Sequence, residues 1–358
     1  MLQQEIETRL AAYYDPYLQT DFLTAKVASK VVVSSDAIQV EIKLGYPHAR
    51  IRAEILVSLH AWLSPYAADK KLNIMLSQRI EAHAGKQSIP GLPQVKNIIA
   101  VGSGKGGVGK STIAINLALA LAKEGAAVGI LDADIYGPSQ SAMLGAPNEK
   151  ALVKDRKLQP IMRHGLQSMS IAYLVDPQAA MIWRGPMIGK AMQQMLHDTA
   201  WENLDYLIVD LPPGTGDIQL TLCQKIPVCG AVMVTTPQDL ALLDVRRACA
   251  MFQQLQVPIL GVIENMSVHT CSHCGHEEQI FGADGAEKLA KEFGFTVLQS
   301  LPLDAQIRTM TDEGFPPVLQ APDGAIARKF AEAARHIAAK LALQRKDYSR
   351  QFPPIVVT

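Results

Sequence analysis

The chain has 358 residues, enough for two domains with cores of their own. Its 34 Lys and Arg balance its 34 Asp and Glu, so neither nucleic acid nor an anionic membrane has an electrostatic claim as main partner. The polar start is no secretory signal, no apolar run is long enough to span a bilayer, and five cysteines with one close pair make no secreted disulfide framework, so a reducing, cytoplasmic setting is expected.

In chain order, residues 1–83 read as a small α+β unit. Gln3–Tyr14 has helical patterning. Ser29–Val33 and Ala37–Leu44, rich in Val and Ile, flank a Ser-Ser-Asp turn and read as a hairpin. Ala49–Leu63 reads as a helix and Leu72–Ile80 as a strand, giving the order α-β-β-α-β. Residues 84–95 carry Pro90, Gly91 and Pro93 without periodicity and read as a linker. From residue 96 to 345 short apolar runs alternate with helices. The runs are Ile98–Val101, Val128–Leu131, Tyr206–Val209, Ala231–Thr235, Ile259–Ile263 and Val297–Leu301. Short apolar runs suit strands buried on both faces, and the alternation predicts an α/β domain with a mostly parallel, doubly wound sheet. Asp323–Leu343 is a last, Ala-rich helix, and residues 346–358, with Pro353-Pro354, form an irregular tail.

Gly104 to Thr112 reads Gly-Lys-Gly-Gly-Val-Gly-Lys-Ser-Thr, between a predicted strand and a predicted helix. That is the context of a phosphate-cradling P-loop. Gly104, Gly106, Gly107 and Gly109, with Val108 between them, let backbone amides face phosphate oxygens. Lys110 is placed to reach the β- and γ-phosphates, and Ser111 to ligate Mg²⁺. Lys105 departs from the plain motif: a second cation in the loop asks for an anion, either its own nucleotide or one on a facing subunit. Leu131-Asp132-Ala133-Asp134 ends one strand, and its carboxylates can orient water or metal-bound water. Asp210 ends another, before Pro212-Pro213-Gly214-Thr215-Gly216-Asp217, and suits holding Mg²⁺ through one of its waters, with the Pro-Gly turn as a γ-phosphate sensor. Asn265 follows a strand and can read a base edge. No Asn-Lys-x-Asp occurs, which favours ATP over GTP.

Cys271 and Cys274 have metal-ligand spacing in a polar stretch, Val268 to Glu278. Cys223, Cys229 and Cys249 lie in apolar surroundings and read as core fillers. Two thiolates are thus available where a soft-metal site wants four ligands. His269, His273 or His276 can complete a zinc site within one chain. A two-fold dimer can instead bring two pairs together around a 4Fe–4S cluster. A redox dithiol is the weaker third reading. Arg184, in Trp183-Arg184-Gly185-Pro186, suits a place near phosphate or at a subunit face, or a helix-start turn. Met187, Met192 and Met195 read as core rather than as a client-binding surface.

These motifs, with Asp-Ala-Asp-Ile-Tyr-Gly-Pro-Ser at 132–139, Asp-Leu-Pro-Pro-Gly-Thr-Gly-Asp at 210–217 and Glu-Asn-Met-Ser at 264–267, closely resemble the Mrp/ApbC family over roughly residues 90–340. These are deviant Walker A ATPases of the MinD/ParA-like group that carry iron–sulfur clusters. The resemblance implies a homodimer, with Lys105 as the signature lysine contacting nucleotide across the dimer. It makes Asp134 the switch aspartate that positions water, Asp210 the Walker B aspartate and Asn265 the adenine reader. Cys271 and Cys274 of both subunits would bridge a labile 4Fe–4S cluster, delivered by a cluster-assembly scaffold and passed to apo-proteins. Residues 1–83 resemble a MIP18-like domain, here without any cysteine. The competing expectations are a positioning ATPase of the MinD/ParA type and a P-loop ATPase with a structural zinc at the cysteine pair.

Overall fold

The computed structural model describes residues 2–85, 89, 91–175 and 185–347. Trp183, Arg184 and residues 348–358 of the expected tail lie outside the described residues. In the N-terminal unit, α1 (Leu2–Ala11) buries Ile6 and Leu10, one turn apart on one face. β1 (Ala28–Val33) and β2 (Ala37–Leu44) form an antiparallel hairpin. Ile38, Val40, Ile42 and Leu44 are all buried, as the period-2 alternation of β2 requires. α2 (Arg52–Leu63) then returns the chain to β3 (Lys71–Gln78), which lies parallel to β2. The α-β-β-α-β order is the one expected.

The larger unit contains β4 (Val95–Ser103), α3 (Lys110–Lys123), β5 (Val128–Asp132), α4 (Gln140–Met143), β6 (Ile161–Arg163), β7 (Leu166–Met169), α5 (Gly185–His197), β8 (Leu204–Asp210), α6 (Asp217–Lys225), β9 (Gly230–Thr235), α7 (Asp239–Gln254), β10 (Ile259–Glu264), α8 (Gly285–Phe293), β11 (Val297–Ser300), α9 (Ala305–Asp312), α10 (Pro317–Gln320) and α11 (Ala325–Ala342). The sheet order is β6-β7-β5-β8-β4-β9-β10-β11. Every neighbouring pair is parallel except β6 with β7, at the edge. β5 and β9 are buried along their whole length, as strands with helices on both faces must be. From β4 the chain crosses to β5 on one side and later to β9 on the other. The carboxyl end of β4 is therefore a topological switch point, where open α/β sheets form their ligand crevice. It carries residues 104–109.

The N-terminal unit docks at the far end of α3, about 21 Å from the loop at 1.5 Å per residue over the helix's 14 residues. The Ala49 amide caps the Glu124 carbonyl at 3.0 Å. The Arg50 amide meets the Glu124 carboxylate at 3.0 Å, and that buried carboxylate is paired with Arg335 of α11. The Arg335 guanidinium sits 5.0 Å above the Tyr17 ring. One apolar core runs without a break from this unit under α3 and α11, and a second fills the opposite face under α5, α7 and α8. The expected linker begins fastened, with the Ala84 amide on the Arg345 carbonyl at 2.9 Å. Among the described residues no helix is long and apolar enough to cross a membrane.

Candidate nucleotide site and exposed dithiol

The loop leaves β4 at Ser103 and enters α3 at Lys110. Two of its glycines are required by close approach. A Cβ on Gly104 would stand 2.2 Å from the backbone of Asp244 and Val245 in α7. At Gly109, φ is +84° and a Cβ would stand 2.3 Å from the Asn265 amide nitrogen. Gly107 is also left-handed, and Gly106 faces open space near Pro213.

Lys110 is buried, and its ammonium is ion-paired with the fully buried Asp210 at the end of β8. It also reaches the Ser111 hydroxyl at 3.1 Å. Lys110, Ser111 and Asp210 therefore share one site. Thr112, next in α3, gives its carbonyl to the Asn116 side chain at 2.9 Å. The Gln140 side-chain amide, at the start of α4, donates to Asp210 Oδ2 at 2.8 Å and to the Ser111 carbonyl at 3.1 Å. Asp132 accepts the amides of Asp134, Ser139 and Gln140 and the Ser170 hydroxyl. Burial, and then Asp210 beside it, pushes the Asp132 carboxyl above the usual carboxylate range. Asp134 is half-buried and accepts the Gly137 amide at 3.2 Å; its own burial raises its pKa against the pull of Lys110. The Gly214 amide binds the Ser103 carbonyl at 3.1 Å, which ties the Pro-Gly turn to the loop. Lys105 lies 3.4 Å from the Gln238 side-chain oxygen. The Asn265 amide donates to the Val108 carbonyl at 3.0 Å, so it braces the loop from below. Gln140, Ser170 and Gln238 were not singled out by sequence. Ser139 before a short helix is a capping signal, but nothing in it identifies the next residue as a clasp.

Six residues beyond Asn265 the same segment reaches Cys271. Ser267 is held by its amide and hydroxyl on the Leu301 carbonyl, at 2.9 and 3.0 Å. A two-rung antiparallel ribbon then pairs His269–Thr270 with Glu277–Glu278. At its tip the Cys271 amide binds the His276 carbonyl, and the Gly275 amide, at a left-handed glycine, binds the Cys271 carbonyl, both at 2.9 Å. Cys274 is exposed and Cys271 half so. Backbone N–H groups of Cys274 and His273, with the Cys274 thiol, hold the Cys271 thiol below the usual range. The remaining cysteines are buried, and burial pushes Cys223 and Cys249 up to about 12. Among the described residues no three His, Cys, Asp or Glu side chains gather as a metal site, and His269, His273 and His276 stand apart from the pair in that sense. Met192 and Met195 are core, as expected, whereas Met187 is exposed.

Residues 94–338 match the model of the NUBPL iron-transfer P-loop NTPases, and residues 3–61 that of an iron–sulfur cluster assembly protein. An iron–sulfur cluster carrier protein of Escherichia coli K12 is 47% identical over 344 residues, covering 96% of this chain and 93% of the relative. The iron–sulfur cluster transfer protein NUBPL of Dictyostelium discoideum is 42% identical, covering 80% of this chain and 92% of its own. A nucleotide-binding protein of Archaeoglobus fulgidus, solved with ADP, superposes with a TM-score of 0.55 at 39% identity, over 62% of this chain and 87% of that one. The cell-division ATPase MinD of Pyrococcus furiosus shares the fold, with a TM-score of 0.50 at 24% identity, over 67% of this chain and 98% of that one.

Proposed function

The chain belongs to the family of NUBPL-type iron-transfer P-loop NTPases, and from that premise we propose an ATP-hydrolysing carrier that holds a 4Fe–4S cluster between two copies of itself and passes it to apo-proteins. The observation that carries this reading is the Cys271–Cys274 pair: exposed, already set at a ribbon tip, with amides aimed at the Cys271 sulfur. Thiolates with N–H donors suit iron–sulfur chemistry. One chain supplies half of the four ligands, and a two-fold partner supplies the same half again.

The nucleotide site fits ATP with Mg²⁺. The amides of Gly104 to Thr112, at the positive end of α3, bind the phosphates. Lys110 neutralises them; Ser111 would ligate the metal ion and Asp210 would hold one of its waters, and the ion would supply charge stabilisation when bound. Asp134 orients the attacking water, and Lys105 reaches the nucleotide of the facing subunit. Asn265 links the two sites: a change at Val108 is felt by the segment that leads into the ribbon. A cluster-assembly scaffold loads the dimer, in the cytoplasm.

Anaerobic reconstitution tests the proposal. Wild type should take up iron and sulfide at about one cluster per dimer, and the Cys271→Ala/Cys274→Ala variant should take up none. Equal uptake by both overturns it, and one tightly held zinc per chain would instead favour a structural metal.

A further inference from the structure

The clasp residue Gln140 has a job that its own hydrogen bonds leave unfinished. Its side chain is almost wholly buried, at 1% exposure. Both of its donor bonds are used, one on Asp210 Oδ2 and one on the Ser111 carbonyl. Its acceptor, Oε1, is buried and, among the described residues, has no hydrogen-bond partner. An orphaned acceptor in a buried site is costly unless something donates to it. The nitrogen of the same amide binds the backbone carbonyl of Ser111, whose hydroxyl is the expected Mg²⁺ ligand, and the carboxylate of Asp210, expected to hold one of the ion's waters.

A magnesium ion dehydrates reluctantly and keeps several of its waters when a protein binds it. Those waters are strong donors, and in a closed site each needs an acceptor. We propose that Gln140 Oε1 accepts a hydrogen bond from a water on the nucleotide-bound Mg²⁺, making Gln140 a positioning residue for the metal. One side chain then does two things. Its nitrogen fixes the Asp210 carboxylate against the loop, and its oxygen fixes the metal's hydration shell. The inference rests on the nucleotide reading of the site. It adds a residue to the metal site that lies on neither the loop nor the β8 strand.

The acceptor can be tested by removing it and by restoring it. Gln140→Met removes donor and acceptor at nearly constant length. Gln140→Glu keeps an acceptor, and beside the buried Asp210 carboxylate its carboxyl holds a proton and so keeps a donor as well. ADP affinity would be titrated for each with Mg²⁺ and with EDTA, and Mn²⁺ affinity of the ADP complexes by the paramagnetic resonance of free Mn²⁺. The expected result for Gln140→Met is a loss of about tenfold in Mn²⁺ affinity, the lower end for removal of an outer-shell partner. Its ADP affinity in EDTA should stay within about threefold of wild type, which also shows the loop to be folded. Gln140→Glu should keep the Mg²⁺ dependence of wild type. Equal losses in both variants would mean that the retained acceptor does not hold the metal's water, and would overturn the proposal. So would a fall in EDTA affinity as large as the fall with Mg²⁺. If wild type itself binds no ADP, the reading of the site fails rather than the role of Gln140.

Discussion

The loop at Gly104–Thr112 and the ribbon at Cys271–Cys274 are joined by a few residues, yet they are built on opposite terms. At the loop, charges are buried and answered within the chain: Lys110 by Asp210, Asp210 by Gln140, Asp132 by three amides and a hydroxyl. At the ribbon, the thiols are exposed or half-exposed and answered by local backbone and by each other. A site of the first kind is set by one chain. A site of the second kind is half a site, and its missing ligands come from outside. Substitutions of the buried groups at the loop should therefore cost stability as well as binding, and substitutions at the ribbon should cost binding alone.

The largest effect is expected at Lys110. Lys110→Met leaves the Asp210 carboxylate buried without its cation, which costs roughly 3–5 kcal/mol when a buried pair is broken. The variant should melt well below wild type and lose ATP affinity by at least about 100-fold, or roughly 2.7 kcal/mol. A melt and a nucleotide titration check both. A stable Lys110→Met with intact affinity would remove the loop's side of the contrast.

Gly109→Ala comes next. It must adopt φ near +84° and push a methyl into the Asn265 amide, 2.3 Å away. The left-handed backbone alone costs about 1–2 kcal/mol, before the collision. Because the same collision moves Asn265, cluster uptake should fall together with nucleotide affinity. Normal uptake beside impaired nucleotide binding would show that the two regions are not mechanically linked.

Lys105→Ala should be milder. Among the described residues the Lys105 side chain hydrogen-bonds Gln238 alone, at 3.4 Å, so folding should be unaffected. The steady-state ATPase rate should drop by about tenfold or more, equivalent to roughly 1.4 kcal/mol, while cluster uptake stays near wild type. An unchanged rate would leave Lys105 as a solvated lysine.

How much of this could be read from sequence follows the same division. Local patterns were legible: the six apolar runs became β4, β5, β8, β9, β10 and β11, and the P-loop lay where strand and helix signals met. The β6–β7 edge hairpin was not legible. Leu166–Met169 reads Leu-Gln-Ser-Met and has no apolar run, yet all four residues are buried. Gln167 is satisfied by the Glu202 backbone in both directions, at 2.8 Å each, and Ser168 by Ile161 and Tyr173. The burial of Gln167 depends on a partner 35 residues away, which no local window contains. Gln140 escaped for the same reason: its partners lie 29 and 70 residues off. The docking of the N-terminal unit on α3 rests on Glu124 and Arg335, two charged residues that sequence alone assigns to the surface.

The smallest effect belongs to the ribbon and concerns pH. Amides of Cys274 and His273 stabilise the Cys271 thiolate, so its pKa in the folded chain lies below that in the unfolded chain. A depressed value means that the thiolate persists to lower pH. The stabilisation is present above the unfolded pKa and is lost as pH falls through the folded one. Iodoacetamide alkylation of Cys271, followed by peptide mass, should reach half its maximal rate at a lower pH in the native protein than in urea. Cys223 and Cys249, pushed up to about 12 by burial, should stay unreacted across that range. In Cys274→Ala the backbone donors remain and only the neighbouring thiol is lost, so the midpoint should move back part of the way. A native midpoint equal to that in urea would mean that the ribbon does not prepare its thiolate in advance. The cluster itself would then have to organise the cysteines, and the ribbon would differ from the loop in order as well as in exposure.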